Sequence, residues 1–341
     1  MSFKELQAAI YEAGFDAFAI MPALPVQRML PILREAQVEN RYPDFVDPDI
    51  AKRIDPKNLQ KSARSVISLA MSYRSGDGGP TSPLHGTISR SAWGIDYHRV
   101  LGNGMDKVID YLRNSCGAKE CTLAVDTSFL LDRGLAVEAG LGYPGSNCAV
   151  YVPPYGSWVF LGEILTDLEL RPTKAERQDN WSCPVDCDLC WRACPTQALF
   201  APGKIRPGRC ISYLTQMPGP IPHGLREKIG SKLWGCDICQ EVCPINQRAE
   251  FTAHAEFRPM MGRQIPLLPL LDLSRRQFAE QFGKTSMTWR GKNVLQRNAA
   301  IILGNQRNRD ALPSLEKTAR EHASTAVQDA ASWAVRTIKS T

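Results

Sequence analysis

Two cysteine runs decide the fold: CPVDCDLCWRACP at residues 183–195 and CDICQEVCP at residues 236–244. Each run contains a Cys-x2-Cys pair and ends in Cys-Pro, as in bacterial ferredoxins. In that pattern three thiolates of a run bind one iron–sulfur cluster, and the fourth binds a second cluster. The second run lacks its own first ligand, since Leu233 lies three positions before Cys236, but Cys210 lies upstream and completes the set. The spacing therefore predicts two [4Fe–4S] clusters.

The crossing of ligands between the runs divides eight of the eleven cysteines into two sets. The first cysteine set is Cys183, Cys187, Cys190 and Cys243, and the second cysteine set is Cys194, Cys210, Cys236 and Cys239. Cys183 departs from the usual spacing, because three residues separate it from Cys187 and Pro184 occupies the expected ligand position. Structural zinc also uses Cys-x2-Cys pairs, and a disulfide framework would need an oxidising compartment, so both remain alternatives. The paired Cys-Pro endings favour clusters.

The composition is that of a globular protein with a substantial core. The 341 residues are 43% hydrophobic and 22% charged, which predicts two or three domains. Residues 1–23 contain no long apolar run and no twin arginine, so we expect neither a signal peptide nor a membrane span. Oxygen-sensitive thiolate clusters without a secretory signal predict a cytoplasmic protein.

The pattern along the chain changes twice, which predicts an α+β protein of three regions. These are a mixed α/β region at 1–172, the cysteine region at 173–255 and a helical region at 256–341. In the first region, the apolar run 65–70 predicts a strand. In the third, the motif at 298–303 returns at 329–334, and Leu312 with Leu315 marks a helix between the two copies. We interpret this as a short helical repeat.

Positive charge is concentrated in the helical region. Between Lys284 and Thr341 there are ten Lys and Arg against four Asp and Glu, a net charge of +6 that equals that of the whole chain. A basic surface on a stack of helices suits a nucleic-acid phosphate backbone, where each neutralised phosphate releases counterions. The alternative is a solvated helical face with no partner.

Several blocks of residues, in order along most of the chain, resemble the epoxyqueuosine reductases. The blocks are ISRSAWGIDYH (88–98), VDT (125–127), AGLG (139–142), YGSW (155–158), LGE (161–163), RCISYLT (209–215), both cysteine runs and WRGK (289–292) leading into RN (297–298). Two departures are the extra residue after Cys183 and a short C-terminal array.

The resemblance implies an architecture and a reaction. It implies a nitroreductase-like cobalamin-binding domain, a ferredoxin-like domain with two [4Fe–4S] clusters and HEAT-like helices that grip tRNA. The family reaction reduces an epoxide on a modified anticodon base to an alkene, with two electrons and two protons, and releases water. We therefore expect cobalamin as a further cofactor, an external electron donor, no membrane partner and a monomeric enzyme.

The resemblance also implies roles for individual residues. Asp126, in the VDT block, would deliver a proton to the departing oxygen, and burial would keep its carboxyl protonated near neutral pH. Its place after an apolar run also suits a helix N-cap, which is the alternative. The remaining expected contacts with cofactor or substrate are Arg90, Tyr97, His98, Ser146 and Asn147, and those with tRNA are Arg290, Lys292 and Arg297.

Three other functions remain open at this stage. A corrinoid reductive dehalogenase would share the cofactor and the clusters, but such enzymes are usually exported and need no basic helical tail. A cobalamin-processing reductase would lack the two cysteine runs. A ferredoxin-type electron carrier would not need about 170 residues of α/β structure before its clusters.

Overall fold

A computed structural model describes residues 2–43, 45–77, 79–173 and 183–340. In chain order, its strands are β1 (Ala17–Pro22), β2 (Ser65–Ser72), β3 (His85–Ile88), β4 (Cys121–Ala124), β5 (Tyr143–Pro144), β6 (Val150–Tyr151), β7 (Val159–Thr166), β8 (Leu199–Ala201), β9 (Lys204–Ile205), β10 (Lys232–Trp234) and β11 (Gln264–Pro266). Its α-helices are α1 (Phe3–Glu12), α2 (Leu30–Val38), α3 (Ile50–Ile54), α4 (Tyr97–Cys116), α5 (Asp132–Glu138), α6 (Leu189–Arg192), α7 (Ile211–Leu214), α8 (His223–Arg226), α9 (Ile238–Glu241), α10 (Pro244–Gln247), α11 (Leu267–Leu271), α12 (Arg275–Phe282), α13 (Lys292–Gln306), α14 (Leu312–Glu321) and α15 (Thr325–Lys339). This mixture confirms the predicted combination of α and β structure. Within the described ranges, none of these helices is both long and apolar enough to span a membrane.

A four-stranded sheet organises the first region. Its order is β1-β2-β7-β4, and every neighbouring pair is antiparallel. Helices α1 and α4 pack on one face, and α5 packs on the other. Every residue of β2 is buried for that reason, and the predicted strand at 65–70 is confirmed. The sheet is therefore a rigid base for side chains that lie at the ends of its strands.

The N-terminal end of α4 positions two of the predicted site residues. Asp96 is the N-cap, and its carboxylate accepts a hydrogen bond from the backbone N–H of His98 at 3.1 Å. At the other end the helix stops at Gly117, whose φ of +78° suits a residue without a Cβ. Tyr97 and His98 thus lie in the first turn, and their side chains contact the segment that follows β4.

A second sheet joins the three predicted regions. Its order is β10-β3-β11, so it takes one strand from each of 1–172, 173–255 and 256–341. Strand β10 is parallel to β3, and β11 is antiparallel to it. The packing is tight at Gly86 of β3, where an added Cβ would lie 2.9 Å from the side chain of Leu267. One hydrophobic core therefore extends across all three regions.

The predicted helical repeat is present. Motifs 298–303 and 329–334 lie in α13 and α15, which pack against each other, and α14 lies between them in the chain as predicted. Small residues allow the two helices to approach closely. An added Cβ at Gly304 would lie 2.8 Å from the Trp333 ring, so no larger residue fits there without displacing α15.

Candidate active site and cluster pockets

The second cysteine set lines a single cavity of about 300 Å³. Its four members come from segments far apart in the chain and meet in this wall: Cys194, Cys210, Cys236 and Cys239. The backbone N–H of Ala198 donates a hydrogen bond to Sγ of Cys194 at 3.2 Å, a contact of the kind that tunes the potential of a cluster. The fold thus brings together the four cysteines that the crossing pattern assigned to one cluster.

The first cysteine set gathers beside this cavity. Burial, and then the thiols of the other three members, raise the pKa of Cys190 to about 11, so the four sulfurs lie close enough to interact. The hydroxyl of Tyr151 donates to Sγ of Cys243 at 3.2 Å. The backbone N–H of Ser146 donates to Sγ of Cys183 at 3.4 Å. Cys183 therefore lies with this set in spite of its irregular spacing.

The two sets are neighbours. Burial and the thiols of Cys236, Cys210 and Cys190 raise the pKa of Cys239 well above its ordinary value, and Cys190 belongs to the other set. No disulfide joins any of the eleven cysteines, all of which lie in the described residues. Across those residues, no group of three or more His, Cys, Asp and Glu is arranged to hold a metal ion. A four-iron cluster, in contrast, keeps its thiolates apart by its own width, and eight thiols in two groups fit two such clusters.

Asp126 lies at the centre of a hydrogen-bonded constellation just after β4. Its carboxylate accepts a hydrogen bond from the hydroxyl of Tyr97 and lies 2.8 Å from Nε2 of His98. The other ring nitrogen of His98, Nδ1, lies 2.7 Å from the Asp96 carboxylate. Because the next helix, α5, begins only after Leu131, Asp126 does not cap a helix and that alternative is wrong.

The proton in this constellation lies on His98 at neutral pH. Partial burial raises the pKa of Asp126, but hydrogen bonds from His98 and Tyr97 outweigh it and hold that pKa below its ordinary value. Burial disfavours the charged form of His98, but hydrogen bonds to Asp126 and Asp96 outweigh it and raise the His98 pKa to about 9. The expectation that burial keeps Asp126 protonated is therefore wrong. Its side chain is 49% exposed and a histidine donor contacts it, so the ionised carboxylate is favoured.

Stacked aromatic rings connect Asp126 to the cavity. Tyr97, which bonds Asp126, stacks on Phe160 with ring centroids 4.3 Å apart and an interplanar angle of 4°. Phe160 in turn stacks on Tyr73 at 4.3 Å, and Tyr73 lines the cavity. Arg133 lines the same cavity and lowers the pKa of Asp126 through its charge. A stack of three rings therefore links the predicted catalytic residue to the cavity of the second cysteine set.

A buried carboxyl pair lies behind Asp126, and the sequence analysis did not identify it. Glu163, in β7, lies between Ser68 and Ala124 of the neighbouring strands and is fully buried. Burial and the charge of Asp126 raise the pKa of Asp132 to about 6, and burial with Asp132 raises that of Glu163 well above its ordinary value. The raised pKa values favour the uncharged forms of both carboxyl groups. A single acid in the apolar run VFLGEILT was the signal in the sequence.

The other predicted cofactor contacts lie in two places. Asn147 is buried and lines the cavity, and its Nδ2 donates to the backbone carbonyl of Cys239 at 3.3 Å. Arg90 instead lines a separate cavity of about 400 Å³. Its guanidinium is 3.2 Å from Asp237 and 2.7 Å from Glu241. Arg90 thus holds the cluster region in place through ion pairs, whereas Asn147 lies where a cofactor could contact it.

The prediction that Arg297 contacts tRNA is wrong. Its side chain is 1% exposed, and burial together with the charge of Arg226 lowers its pKa to about 10. The guanidinium donates to the backbone carbonyls of Leu214 at 2.8 Å and Met217 at 2.7 Å. These carbonyls lie at and just beyond the C-terminal end of α7, the helix that follows Cys210. Arg297 therefore ties the helical repeat to a cluster segment and is not available to a phosphate.

The other two basic residues lie where a partner could reach them. Arg290 is partly exposed, and its guanidinium lies 3.6 Å from the ring centroid of Trp289. Lys292, at the start of α13, is also partly exposed and donates to Oε1 of Gln296 at 3.0 Å. Burial and the charge of Arg275 lower the pKa of Lys292, so these two cations lie close together.

Replacing Arg297 with methionine is expected to lower the free energy of unfolding by about 3 kcal/mol or more, because buried carbonyls lose their donor at about 1–3 kcal/mol each. The salt dependence of tRNA binding should stay the same. Chemical denaturation and binding at several salt concentrations would check both expectations, with Arg290→Gln as the partly exposed control. A stable Arg297→Met protein with a shallower salt dependence would show that Arg297 contacts phosphate.

Two family models match parts of this chain. A family described as epoxyqueuosine reductase QueG, DUF1730, matches residues 53–127, which include Asp126. A 4Fe–4S double cluster binding domain matches residues 183–246, which include all eight predicted cysteines, so the chain carries a domain for two [4Fe–4S] clusters.

Relatives extend this likeness over most of the chain. The epoxyqueuosine reductase of Bacillus subtilis (strain 168) is 38% identical over 301 residues, which are 85% of this chain and 76% of that protein. A crystal structure of an epoxyqueuosine reductase with an epoxyqueuosine-modified tRNA-Tyr stem loop is 35% identical, with a TM-score of 0.93 over 98% of this chain and 89% of that one. A structure of the epoxyqueuosine reductase from Bacillus subtilis, with a catalytic loop that is named by an aspartate swung out of the active site, is 35% identical. Its TM-score is 0.91 over 98% of this chain and 90% of that one. The chain belongs to the epoxyqueuosine reductase family.

Proposed function

We propose that this protein reduces epoxyqueuosine in the tRNA anticodon to queuosine. The reaction removes the epoxide oxygen, forms a carbon–carbon double bond and releases water. Two electrons and two protons enter for each oxygen that leaves. The protein must therefore deliver low-potential electrons and protons to the same bound base.

The observation that carries the proposal is the stack of rings that links the cavity of the second cysteine set to the hydrogen-bonded constellation of Asp126. The second cysteine set forms one wall, and strand residues Val159 and Leu161 form another. The stack of Tyr97, Phe160 and Tyr73 connects this cavity to Asp126. A plain electron carrier has no use for a proton-holding constellation beside its cluster. A related enzyme with a catalytic aspartate loop supports the same reading of Asp126.

The donors around the cavity fit cobalamin as the further cofactor. Val150, Val159 and Leu161 offer an apolar wall against which a flat corrin ring could lie. Asn147 and Arg133 supply polar groups for the amide side chains at the edge of such a ring. When bound, cobalamin would supply a strong one-electron reductant that the clusters recharge.

Within this site, the protein's own residues hold and move the proton. His98 carries a proton up to pH values near its pKa of about 9 and shares it with Asp126 at 2.8 Å. The ionised Asp126 is therefore a relay that is recharged from His98, and Tyr97 fixes its second oxygen. A carboxylic acid formed transiently at this place is a stronger acid than imidazolium, which suits protonation of a departing alkoxide.

We also propose a role for each of the three regions of the chain. We assign residues 1–172 to a nitroreductase-like cobalamin-binding domain, 173–255 to a ferredoxin-like domain and 256–341 to a HEAT-like repeat that binds tRNA. Arg290 and Lys292 remain its candidate phosphate contacts, and the shared sheet holds the three domains in fixed register. We propose further that the enzyme is a cytoplasmic monomer that takes electrons from an external donor.

The proposed function is tested by assaying the reaction on its tRNA substrate. The purified protein, with clusters and cobalamin reconstituted, is incubated with epoxyqueuosine-containing tRNA and a strong reductant, and the nucleosides are then analysed by mass spectrometry. We expect a loss of one oxygen from the modified nucleoside that depends on cobalamin. Unchanged epoxyqueuosine, with both clusters reduced and cobalamin bound, would contradict the proposal.

A further inference from the structure

An exposed group of aromatic side chains lies where three distant segments meet. We call Phe45, Tyr213 and Trp289 the aromatic patch. Phe45 is 56% exposed and Trp289 is 53% exposed, which is unusual for rings of this size. The ring centroids of Phe45 and Trp289 are 6.1 Å apart in an edge-to-face arrangement, and those of Phe45 and Tyr213 are 5.9 Å apart. The three rings therefore form one surface.

This surface is held in place and carries positive charge. The indole Nε1 of Trp289 donates to Oε1 of Gln216 at 3.3 Å, which fixes the ring plane. The guanidinium of Arg290 lies 3.6 Å from the Trp289 ring centroid and 5.7 Å from that of Phe45. Within the described residues, the buried Nε of Arg290 has no hydrogen-bond partner. The Arg290 side chain is thus packed against the rings, and its Nε–H donor has no acceptor among the described residues.

The aromatic patch borders the candidate active site. Tyr213 lies in α7, which begins directly after Cys210. Cys210 and Ser212 line the cavity of the second cysteine set, and Tyr213 is the next residue in the chain. Lys292, two residues after Arg290, is the first residue of α13 and adds a second positive charge to this segment. If a nucleic acid inserted one base into the cavity, the nucleotides next to that base would lie over this surface.

We propose that the aromatic patch stacks the unpaired nucleobases that flank the modified base in the tRNA loop. Exposed rings and a planar guanidinium are the groups on which single-stranded bases stack, and stacking tolerates any base because each has a π-face. An apolar protein partner fits less well, since the guanidinium of Arg290 lies against two of the rings and gives this surface a positive charge. The inference rests on the proposed tRNA substrate and adds the means by which its loop is held open.

The test measures binding of an epoxyqueuosine-containing stem loop to the fully reconstituted protein. Phe45→Ala and Trp289→Ala are each expected to raise Kd about tenfold, in the range found when one stacked base is lost. The slope of log Kd against log salt should stay the same, because no phosphate contact is removed. Trp289→Phe, which keeps a ring, should restore most of the affinity. Phe251→Ala is the matched control, since Phe251 is also 56% exposed and also packs against an arginine, Arg74, at 4.4 Å.

A second substrate identifies what the rings touch. Stem loops with abasic sites on both sides of the modified nucleotide should bind the wild-type protein about tenfold more weakly, and Trp289→Ala should then add little further loss. Equal Kd values for the wild-type protein and both alanine variants would overturn the proposal. Alanine variants whose salt slope changes, while their binding still weakens fully at the abasic sites, would overturn it as well. If the wild-type protein itself neither binds nor converts the stem loop, the proposed function fails instead.

Discussion

Asp126→Asn is expected to lower the rate of epoxyqueuosine conversion by about 10²–10⁴-fold, the usual cost of losing a general acid. Asparagine has nearly the same shape, can still accept a hydrogen bond from Tyr97, and tolerates the φ of +31° at this position. The fold, both clusters and cobalamin content should therefore be retained. Single-turnover conversion at saturating tRNA, with iron and cobalt contents matched to wild type, is the measurement.

The pH dependence should change in a defined direction. In the wild-type protein the hydrogen bond and charge of Asp126 help to raise the His98 pKa to about 9, so activity should fall as pH rises through that value. Without the carboxylate, burial lowers the His98 pKa with less opposition, and the alkaline fall in the residual activity should move to lower pH. Cluster content should not follow this shift.

Asp96→Asn is the control that separates proton delivery from tuning of His98. This variant removes the other carboxylate next to His98, 2.7 Å from Nδ1, and asparagine still caps α4. We expect a shifted pH profile but a much smaller loss of rate than for Asp126→Asn. Equal losses in the two variants would show that both aspartates only set the state of His98. Near wild-type conversion by Asp126→Asn would refute the proton role and point to Tyr97.

The sequence singled out Asp126 as a candidate, but it could not show the charge of that carboxyl group. A block of three residues marked the position. Its protonation depends on Tyr97 and His98, which lie 29 and 28 residues away and reach it only because α4 begins beside the end of β4. The same holds for Glu163, whose pKa depends on Asp132 from another element. Local patterns specify residue types, whereas pKa values depend on contacts made by the fold.

Arg297 shows a second limit of sequence reasoning. Counting charges placed it on a basic surface, yet every residue from Val294 to Gly304 in α13 is buried. A helix that is buried on all sides has no polar stripe, so periodicity cannot show which way an arginine points. The neighbouring Asn298, also buried in an apolar run, was the available hint. The strands and the helical repeat followed more closely from the sequence because their patterns are local.

The sequence shows where the three regions differ in composition, but it does not show how the regions contact one another. Composition changes near 172 and 255 are visible in the sequence, but the sheet β10-β3-β11 pairs strands that are more than 140 residues apart, such as Lys232 with Thr87. Long-range pairing of short strands leaves almost no local signal. As a consequence, the cluster region is held against the active site by hydrogen bonds and a shared core, which suits electron transfer over a fixed distance.

Cys194→Ala and Cys243→Ala are each expected to reduce iron from about eight to about four atoms per chain and to abolish turnover, because each removes one thiolate from one four-iron cluster. Cys194 should damage the cluster held with Cys236, and Cys243 the cluster held with Cys190. Iron analysis and the electron paramagnetic resonance spectrum of the reduced protein would measure the loss. Cys148→Ala is the control, since Cys148 lines the same cavity but belongs to neither set.

Double variants determine whether the ligands cross between the runs. If they do, Cys194→Ala combined with Cys236→Ala affects one cluster and leaves about four iron atoms, whereas Cys194→Ala combined with Cys190→Ala affects both and leaves almost none. An uncrossed arrangement gives the opposite result for the second pair, because Cys190 and Cys194 would then share a cluster. Zinc in place of iron in the wild-type protein would contradict both arrangements. The cavity already contains Cys194 together with Cys236 and without Cys190, and this geometry is the reason to expect the crossed outcome.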